Sequence, residues 1–509
     1  MRQKPVFVLS ISLILAVALS GCYRPGPGAK TWQASGVDGS GFEPNRTATA
    51  SPFNADGIGG VAALVIPTPN DPVTLPTLRS EAVQYTVQVG DTLAKIALRY
   101  QVTVDDILAN NEIVNPNQIE VGLVLAIPPA TLDQVASAFK IVPDSELVNS
   151  PAAAGFDTAA FVKSWGGYLA GYEEEVDGRM MSGAEIVSRV ALEYSVNPRL
   201  LLAVLDYHSG WVSQQNPDEK TLIYPMGFYD AWREGLYSQL GFAANLLNEG
   251  YYLWKINVIS VWTLSDNTVV GANPTINAGT AGVLNLMRYW TDRASWETAT
   301  TENGVYATYI GFFGSPFAYT FEPMIPDDLS QPTLQLPFEL GEVWSYTSGP
   351  HGGWDSGSAW AALDFAPPGE ALGCTPSSSW VTASAPGEIV YARDGAVIQD
   401  LDGDGVWQTG WSILYMHIGS NDRVQVGDWL ETGDRIGHPS CEGGFSTGTH
   451  LHIARRYNGE WIAADAELPF VMDGWVSSGY GVEYDGYLTK GESIVEAWNG
   501  RASFNAIQR

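Results

Sequence analysis

The chain is short of positive charge. Its 509 residues hold 26 Lys+Arg against 56 Asp+Glu, a formal net charge of −30. Neutralising phosphates takes clustered cations and none are present, so nucleic acid is excluded as a partner. Docking onto anionic lipid or an anionic polymer is disfavoured for the same reason. Charge of either sign is scarce, at 16% of residues, whereas Trp (18), Tyr (23) and Gly (54) are plentiful. Disordered chains are poor in aromatics, so most of this one is expected to fold. Long apolar runs are also lacking. Val6 to Ala18 is the one that stands out, and it is too short for a comfortable transmembrane helix. Cysteine is limited to three and histidine to six. No C-x-x-C spacing occurs, which argues against a structural zinc site built on thiolates. The length itself suggests roughly three domains.

The apolar run follows Arg2 and Lys4 and ends in Leu19-Ser20-Gly21-Cys22. This resembles a bacterial lipobox. The resemblance implies that residues 1–21 are a lipoprotein signal peptide and that Cys22 becomes a lipid-modified N-terminus, the chain's only membrane contact. The protein is then expected to be exported and lipid-anchored to the bacterial membrane, facing the cell wall. Residues 22–80, rich in Gly, Pro, Ser, Thr and Asn, read as a flexible tether with a span on the order of 40 Å. With Cys22 set aside, Cys374 and Cys441 remain. In an oxidising exported compartment these two are expected to pair.

Residues 83–129 read as strand, helix, helix, strand. Gly90-Asp91 makes a turn with Asp91 as expected N-cap, and Thr103 or Asp105 opens the second helix. The Gly-Asp-Thr-Leu turn at 90–93, Ile107-Leu108 with Asn111, and the closing Ile127-Pro128 together resemble a LysM domain. That family binds N-acetylglucosamine chains, so the resemblance implies glycan binding.

Residues 130–155 read as a linker, and helical periodicity dominates 156–325. Ala184 to Tyr194 is amphipathic, and Asn197-Pro198 opens a second helix running to His208. Asn197-Pro198-Arg199, Ser209-Gly210, Asn277-Ala278-Gly279-Thr280 and Tyr309-Ile310-Gly311 faintly resemble lysozyme-like lytic transglycosylases. That family has a Glu just before the Ser-Gly, and here the position is His208. Cleaving a glycosidic bond needs a carboxylic acid with a raised pKa. The region is therefore read as a degenerate, non-catalytic glycan-binding or spacer module.

From 333 to 480 the pattern turns to β: short alternating runs, many Gly and Pro, repeated Trp. Residues 481–509 carry no motif and read as a tail. The expected fold is thus multidomain: a small βααβ module, an α-helical lysozyme-like middle and a mainly-β antiparallel domain.

Four of the six histidines, 351, 417, 450 and 452, fall in that β-rich segment. His450-Leu451-His452 on a strand sends both imidazoles to one face. Asp364 sits in Ala362-Leu363-Asp364-Phe365-Ala366-Pro367, a carboxylate among apolar residues. Two His and one carboxylate leave a fourth position for water on zinc, the arrangement of a catalytic site. A His, an apolar-Asp-apolar-Ala-Pro strand, a Tyr-x-His and a His-x-His after Ser446-Thr447-Gly448 resemble the lysostaphin/LytM-type zinc metalloendopeptidases, in particular the β-lytic/staphylolysin-like branch. The resemblance implies one Zn2+ held by His351, Asp364 and His452, with His417 and His450 acting on water and the tetrahedral intermediate. It leaves open which of the two is the base. Many relatives space the first His and Asp by four, which would select Asp355, but the local context favours Asp364.

The implied activity is hydrolysis of peptide bonds in peptidoglycan by a zinc-activated water, with LysM holding the glycan. The competing expectation is a non-catalytic peptidoglycan-binding scaffold or an activator of another cell-wall hydrolase. Asp400, Asp402 and Asp404 with Gly405 look like the start of an EF-hand calcium loop, but the twelfth position is Trp411 and supplies no bidentate carboxylate. Ca2+ is the weaker metal expectation.

Overall fold

A computed structural model describes residues 72–509 other than 77, 89–90, 114, 117–118, 130–131, 133, 370–371 and 445. The expected signal peptide, Cys22 and most of the expected tether lie outside the described residues. Among the described residues no helix is long and apolar enough to cross a membrane.

The βααβ order is as expected. Strands Val83–Thr86 and Val124–Ile127 pair antiparallel beside helices Leu93–Tyr100 and Val104–Ala109. Ile96, Ile107, Leu125 and Ile127 form the buried core. Thr103 caps the second helix in a reciprocal capping box with Asp106. The first helix departs from expectation. Thr92 Oγ1, not Asp91, accepts from the Lys95 N–H at 3.2 Å, while Asp91 closes the preceding turn by accepting from Tyr85 Oη and the Gln88 N–H.

The helical middle contains α1 (Gly183–Tyr194), α2 (Pro198–Ser209), α3 (Leu236–Lys255), α4 (Ala278–Met287), α5 (Arg293–Ala299) and α6 (Val305–Phe313). Ser182 and Glu185 box the start of α1. Asn197 caps α2 with Pro198 in its first turn, where a missing N–H costs nothing. Leu200 to Leu205 are fully buried, so α2 is the central helix. Of the expected linker 130–155, the stretch from Gln134 onward is packed structure. Strand Gln134–Val135 pairs parallel with Val269–Gly271, and Ile141, Val142 and Leu147 are buried among the helices. Its polar residues point inward and are paired there: Glu146 with Arg199 at 2.5 Å, and Ser150 Oγ donating to Ser145 O at 2.7 Å. That inward pairing disguises a packed segment as a polar one.

The C-terminal unit is built on an antiparallel sheet: β1 (Val343–His351), β2 (Ala362–Ala366), β3 (Gly387–Arg393), β4 (Ala396–Asp400), β5 (Trp411–Met416), β6 (Trp429–Leu430), β7 (Leu451–Tyr457), β8 (Glu460–Trp461) and β9 (Ala506–Gln508). The order across it is β6-β3-β4-β5-β7-β2-β1-β9, with β8 on the end of β7. Alternation along the strands sorts its residues. Leu363, Phe365, Val397, Ile413, Tyr415, Leu451 and Ile453 pack in one cluster behind the sheet. Ala362, Ile398, Leu414, Met416 and Ala454 share a second cluster with the helices. Asp364 and His452 project on that second face by the same period of two. The helical unit is therefore docked on the face that carries the metal-ligating candidates.

Residues 481–509 are also not a tail. They form strands Gly486–Lys490 and Ser493–Glu496, and β9 pairs with β1 in the main sheet. The period-two pattern there is too short to read without its partner strands.

Arg456 clamps the two units. It is 1% exposed, its guanidinium lies 3.8 Å from the Trp461 ring and 4.9 Å from that of Trp407, and its Nη2 donates to Glu193 O of α1. Nε and Nη1 have no partner among the described residues, and burial pulls its pKa down to about 9. Arg456→Met keeps the packing and removes a poorly solvated charge, so it is expected to be neutral or stabilising. Arg456→Ala opens the interface and is expected to cost about 2–4 kcal/mol. Urea unfolding of both variants checks the sign.

Candidate metal centre

The sheet register brings the ligand candidates together. His452 on β7 pairs directly with Asp364 on β2, and Met416 at the end of β5 pairs with His452. On β1 the register slips between Ser348, opposite Asp364, and His351, opposite Ala362. Three residues span what two span on β2, and this bulge at Gly349-Pro350 turns His351 toward the shared face. Gly349 is needed there, because a Cβ would sit 2.5 Å from the backbone of Asp485.

Backbone carbonyls fix the imidazole tautomers. His351 Nδ1 donates to Gly349 O at 2.8 Å, leaving a lone pair on Nε2. His452 Nε2 donates to Gly353 O at 3.1 Å, leaving one on Nδ1. These two lone-pair atoms face each other at 3.0 Å. Asp364 Oδ1 completes a triangle, 3.3 Å from His351 Nε2 and 3.2 Å from His452 Nδ1. Asp364 is 0% exposed, and neither of its oxygens accepts a hydrogen bond. Converging lone pairs around a buried, unsatisfied carboxylate fit a cation. The edges fit as well: ligands about 2.0–2.1 Å from a tetrahedral zinc stand about 3.3 Å apart. The carbonyls behind each imidazole are the outer partners such a site needs.

The electrostatics agree. Burial pushes the Asp364 carboxyl up, but His351 and His450 outweigh it and hold it well below the usual carboxylate range. Burial would lower His351, yet the Asp364 carboxylate overrides that and raises it. Burial lowers His452 despite the same carboxylate. The carboxylate thus stays ionised and can balance a cation held beside it.

His417 and His450 stand beside it, rings 4.4 Å apart. His417 Nδ1 donates to Glu442 O at 2.9 Å, and His450 Nδ1 to Gly448 O at 2.7 Å. The Nε2 of His450 lies 3.7 Å from Asp364 Oδ2. His417 holds φ +64°, a left-handed backbone that is costly for histidine, and Ser440 pins its carbonyl through N–H and Oγ. Burial and the neighbouring imidazoles hold His417 well below the ordinary histidine value.

Asp355 does not join the site. Its carboxylate accepts from Tyr194 Oη and the Ser356 N–H. Of the remaining histidines, His438 stacks on Trp380 and donates to Ser379 O, and His208 belongs to the helical unit. Trp344 and Trp354 are buried. Tyr484, in the segment read as a tail, stacks on His351 with ring centroids 4.9 Å apart; no motif points to it. Helix α1 reaches loops on both sides of the site, through Tyr194 to Asp355 and through Arg189 to Asp394 at 3.9 Å.

Cys374 and Cys441 are joined by a disulfide. Asp400, Asp402 and Asp404 do cluster. Their oxygens accept from the turn's own N–H groups at Asp402, Asp404, Gly405 and Val406, and the Thr409 hydroxyl adds another donor. The turn is capped from within, and calcium is not supported.

Comparison with known proteins agrees with this layout. The LysM domain signature matches residues 85–128, that of the LasA N-terminal domain 140–326 and that of Peptidase family M23 368–464. His351 and Asp364 lie upstream of the last match, so their assignment rests on geometry. Protease LasA of Pseudomonas aeruginosa is 28% identical over 293 residues, covering 53% of this chain and 65% of that protein. The chain thus matches just under two thirds of that relative's length. The β-lytic metalloendopeptidase of Lysobacter enzymogenes is 29% identical over 170 residues, 31% of this chain and 88% of that protein. A solved structure described as the M23 metalloprotease pseudoalterin from the deep sea shares 25% identity over 35% of this chain and all of its own, with a TM-score of 0.29. The findings support a LytM-type M23 metallopeptidase domain behind a LysM domain and a LasA-type helical region.

Proposed function

We propose that this chain, with its LysM and M23 domains, is a zinc-dependent endopeptidase that hydrolyses peptide bonds of peptidoglycan. The observation that carries the reading is the triangle of His351 Nε2, Asp364 Oδ1 and His452 Nδ1 around an unsatisfied buried carboxylate. Zinc held there would polarise the scissile carbonyl and lower the pKa of a water to about 7. The residues of the chain do the rest. One of the two Nε2 atoms of His417 and His450 takes the proton of the attacking water and delivers it to the leaving amine as the C–N bond breaks. The other, having taken a proton from solvent at its Nε2, donates it in a hydrogen bond to the oxyanion. Each keeps its Nδ1–H on a backbone carbonyl, so neither ring has to reorient.

LysM would hold the glycan and raise the local concentration of stem peptide around the peptidase unit. The lipid on Cys22 and the tether would set its reach from the membrane. The helical unit is non-catalytic in this reading, since Glu146 is buried in its pair with Arg199 and position 208 is an imidazole.

The test is release of new amino groups from purified peptidoglycan by the full chain, with and without a chelator. His417→Ala and His450→Ala are each expected to keep one zinc per chain and to lose about 10²- to 10⁴-fold in rate. Zinc content measured beside turnover separates this from a binding defect. Full activity in either variant would remove that histidine from the proposed chemistry.

A further inference from the structure

The helical unit has a pocket of about 410 Å³ between the end of α2, the loop carrying Gly227, and the ends of α4 and α5. That is within the range of small-molecule sites, about 300–1,000 Å³. Its walls are aromatic. The Trp290 ring lies 4.5 Å from that of His208, and its Nε1 donates to Met226 O at 2.8 Å, which locks the indole in place. Tyr229 and Tyr289 stand at the rim, 70% and 42% exposed. Gly227 holds φ +72°, and a Cβ there would sit 2.5 Å from His208 Nε2, so glycine keeps the imidazole edge open. No lining residue carries a formal charge at neutral pH.

The polar groups are neutral and available. Neither ring nitrogen of His208 nor the Tyr207 hydroxyl has a hydrogen-bond partner among the described residues, and both residues line the cavity. Burial pushes the His208 pKa down to about 4, so the ring offers one donor and one acceptor near neutral pH. An apolar ligand would leave these groups unpaired. An anion would face an uncharged pocket on a chain of net charge −30. A ring with apolar C–H faces and neutral hydroxyl or amide edges satisfies both walls and edges.

We infer that this pocket binds one pyranose unit of a neutral, N-acetylated glycan, stacking it on Trp290 and the rim tyrosines and hydrogen-bonding it through His208 and Tyr207. The choice of a wall glycan rests on the proposed function; the pocket chemistry does not. Bound there, a strand would be gripped on the unit docked against the peptidase sheet, a second hold besides LysM.

The experiment photo-labels the full chain with an N-acetylglucosamine tetrasaccharide bearing a diazirine and maps the label by mass spectrometry. Label within 207–229 or 287–299, displaced by unlabelled sugar, is expected. Tyr229→Ala, at a largely exposed position that leaves the fold intact, should weaken it about tenfold, and Trp290→Phe more. Label confined to 85–128, or pocket label that unlabelled sugar does not displace, would overturn the inference, as would unchanged affinity in Tyr229→Ala. Amino-group release is scored separately. Pocket label without release defeats the peptidase reading alone, and release without pocket label defeats this one alone.

Discussion

Asp364→Asn is expected to abolish both zinc binding and peptide release. The carboxylate is fully buried and accepts no hydrogen bond, yet imidazole nitrogens of His351, His452 and His450 lie 3.2 to 3.7 Å from its oxygens. An amide keeps the shape but removes the charge, and its NH2 would compete for lone pairs that should face the metal. The loss should be at least about 10³-fold, because the ion is asked for several kcal/mol of charge stabilisation and each 1.36 kcal/mol is tenfold. Metal analysis should fall from one zinc per chain to none. Thermal unfolding gives an independent readout. A ligand at 1,000 times its Kd stabilises by about 4 kcal/mol, so added zinc should raise the melting temperature of the wild type and not of the variant. His452→Ala should behave alike. A variant that keeps both its zinc and its rate would sink the ligand assignment.

Breaking the Cys374–Cys441 bridge is expected to cost activity while sparing the metal. The bridge joins residues 67 apart, a loop whose closure is worth about 4 kcal/mol on the chain-entropy account. It also sits between the two anchors of the paired histidines. Glu442, next to Cys441, supplies the carbonyl that holds His417. Thr449, next to His450, donates its N–H to Gly373 O and its hydroxyl to Thr375 O, the residues flanking Cys374. The three proposed ligands stand on or at the ends of paired strands and are not held by the bridge. Cys374→Ser/Cys441→Ser should therefore retain zinc, lose about 2–4 kcal/mol of stability, and turn over about 10- to 100-fold more slowly, the scale of a misplaced catalytic group. An unchanged rate after complete reduction would show that the loops hold their geometry without it.

The signals that were legible were local ones. Thr103 and Asp106, Ser182 and Glu185, and Asn197 before Pro198 mark helix starts because a cap needs only residues within a turn of one another. His450-Leu451-His452 points two rings the same way because a strand has period two. What misled were segments whose partners are distant. Residues 130–155 look like a polar linker until Glu146 meets Arg199, and 481–509 look like a tail until β9 meets β1 and Tyr484 meets His351.

By itself the sequence determined which chemistry was available: the histidines, the aspartate in its apolar strand, and two cysteines able to pair. It did so because ligand type and strand alternation are properties of short stretches. Only the tertiary structure set Asp364 and Asp355 apart, since the two differ in where they point: one pairs with His452 across the sheet, the other turns to Tyr194. Only it fixed the imidazole tautomers, through carbonyls of Gly349, Gly353, Glu442 and Gly448, which any residue would supply and no motif reveals. Only it docked the helical unit on the ligand-bearing face and opened a pocket beside His208, because both depend on how separate units pack, and packing energy is spread over apolar contacts that carry no signature in the order of residues.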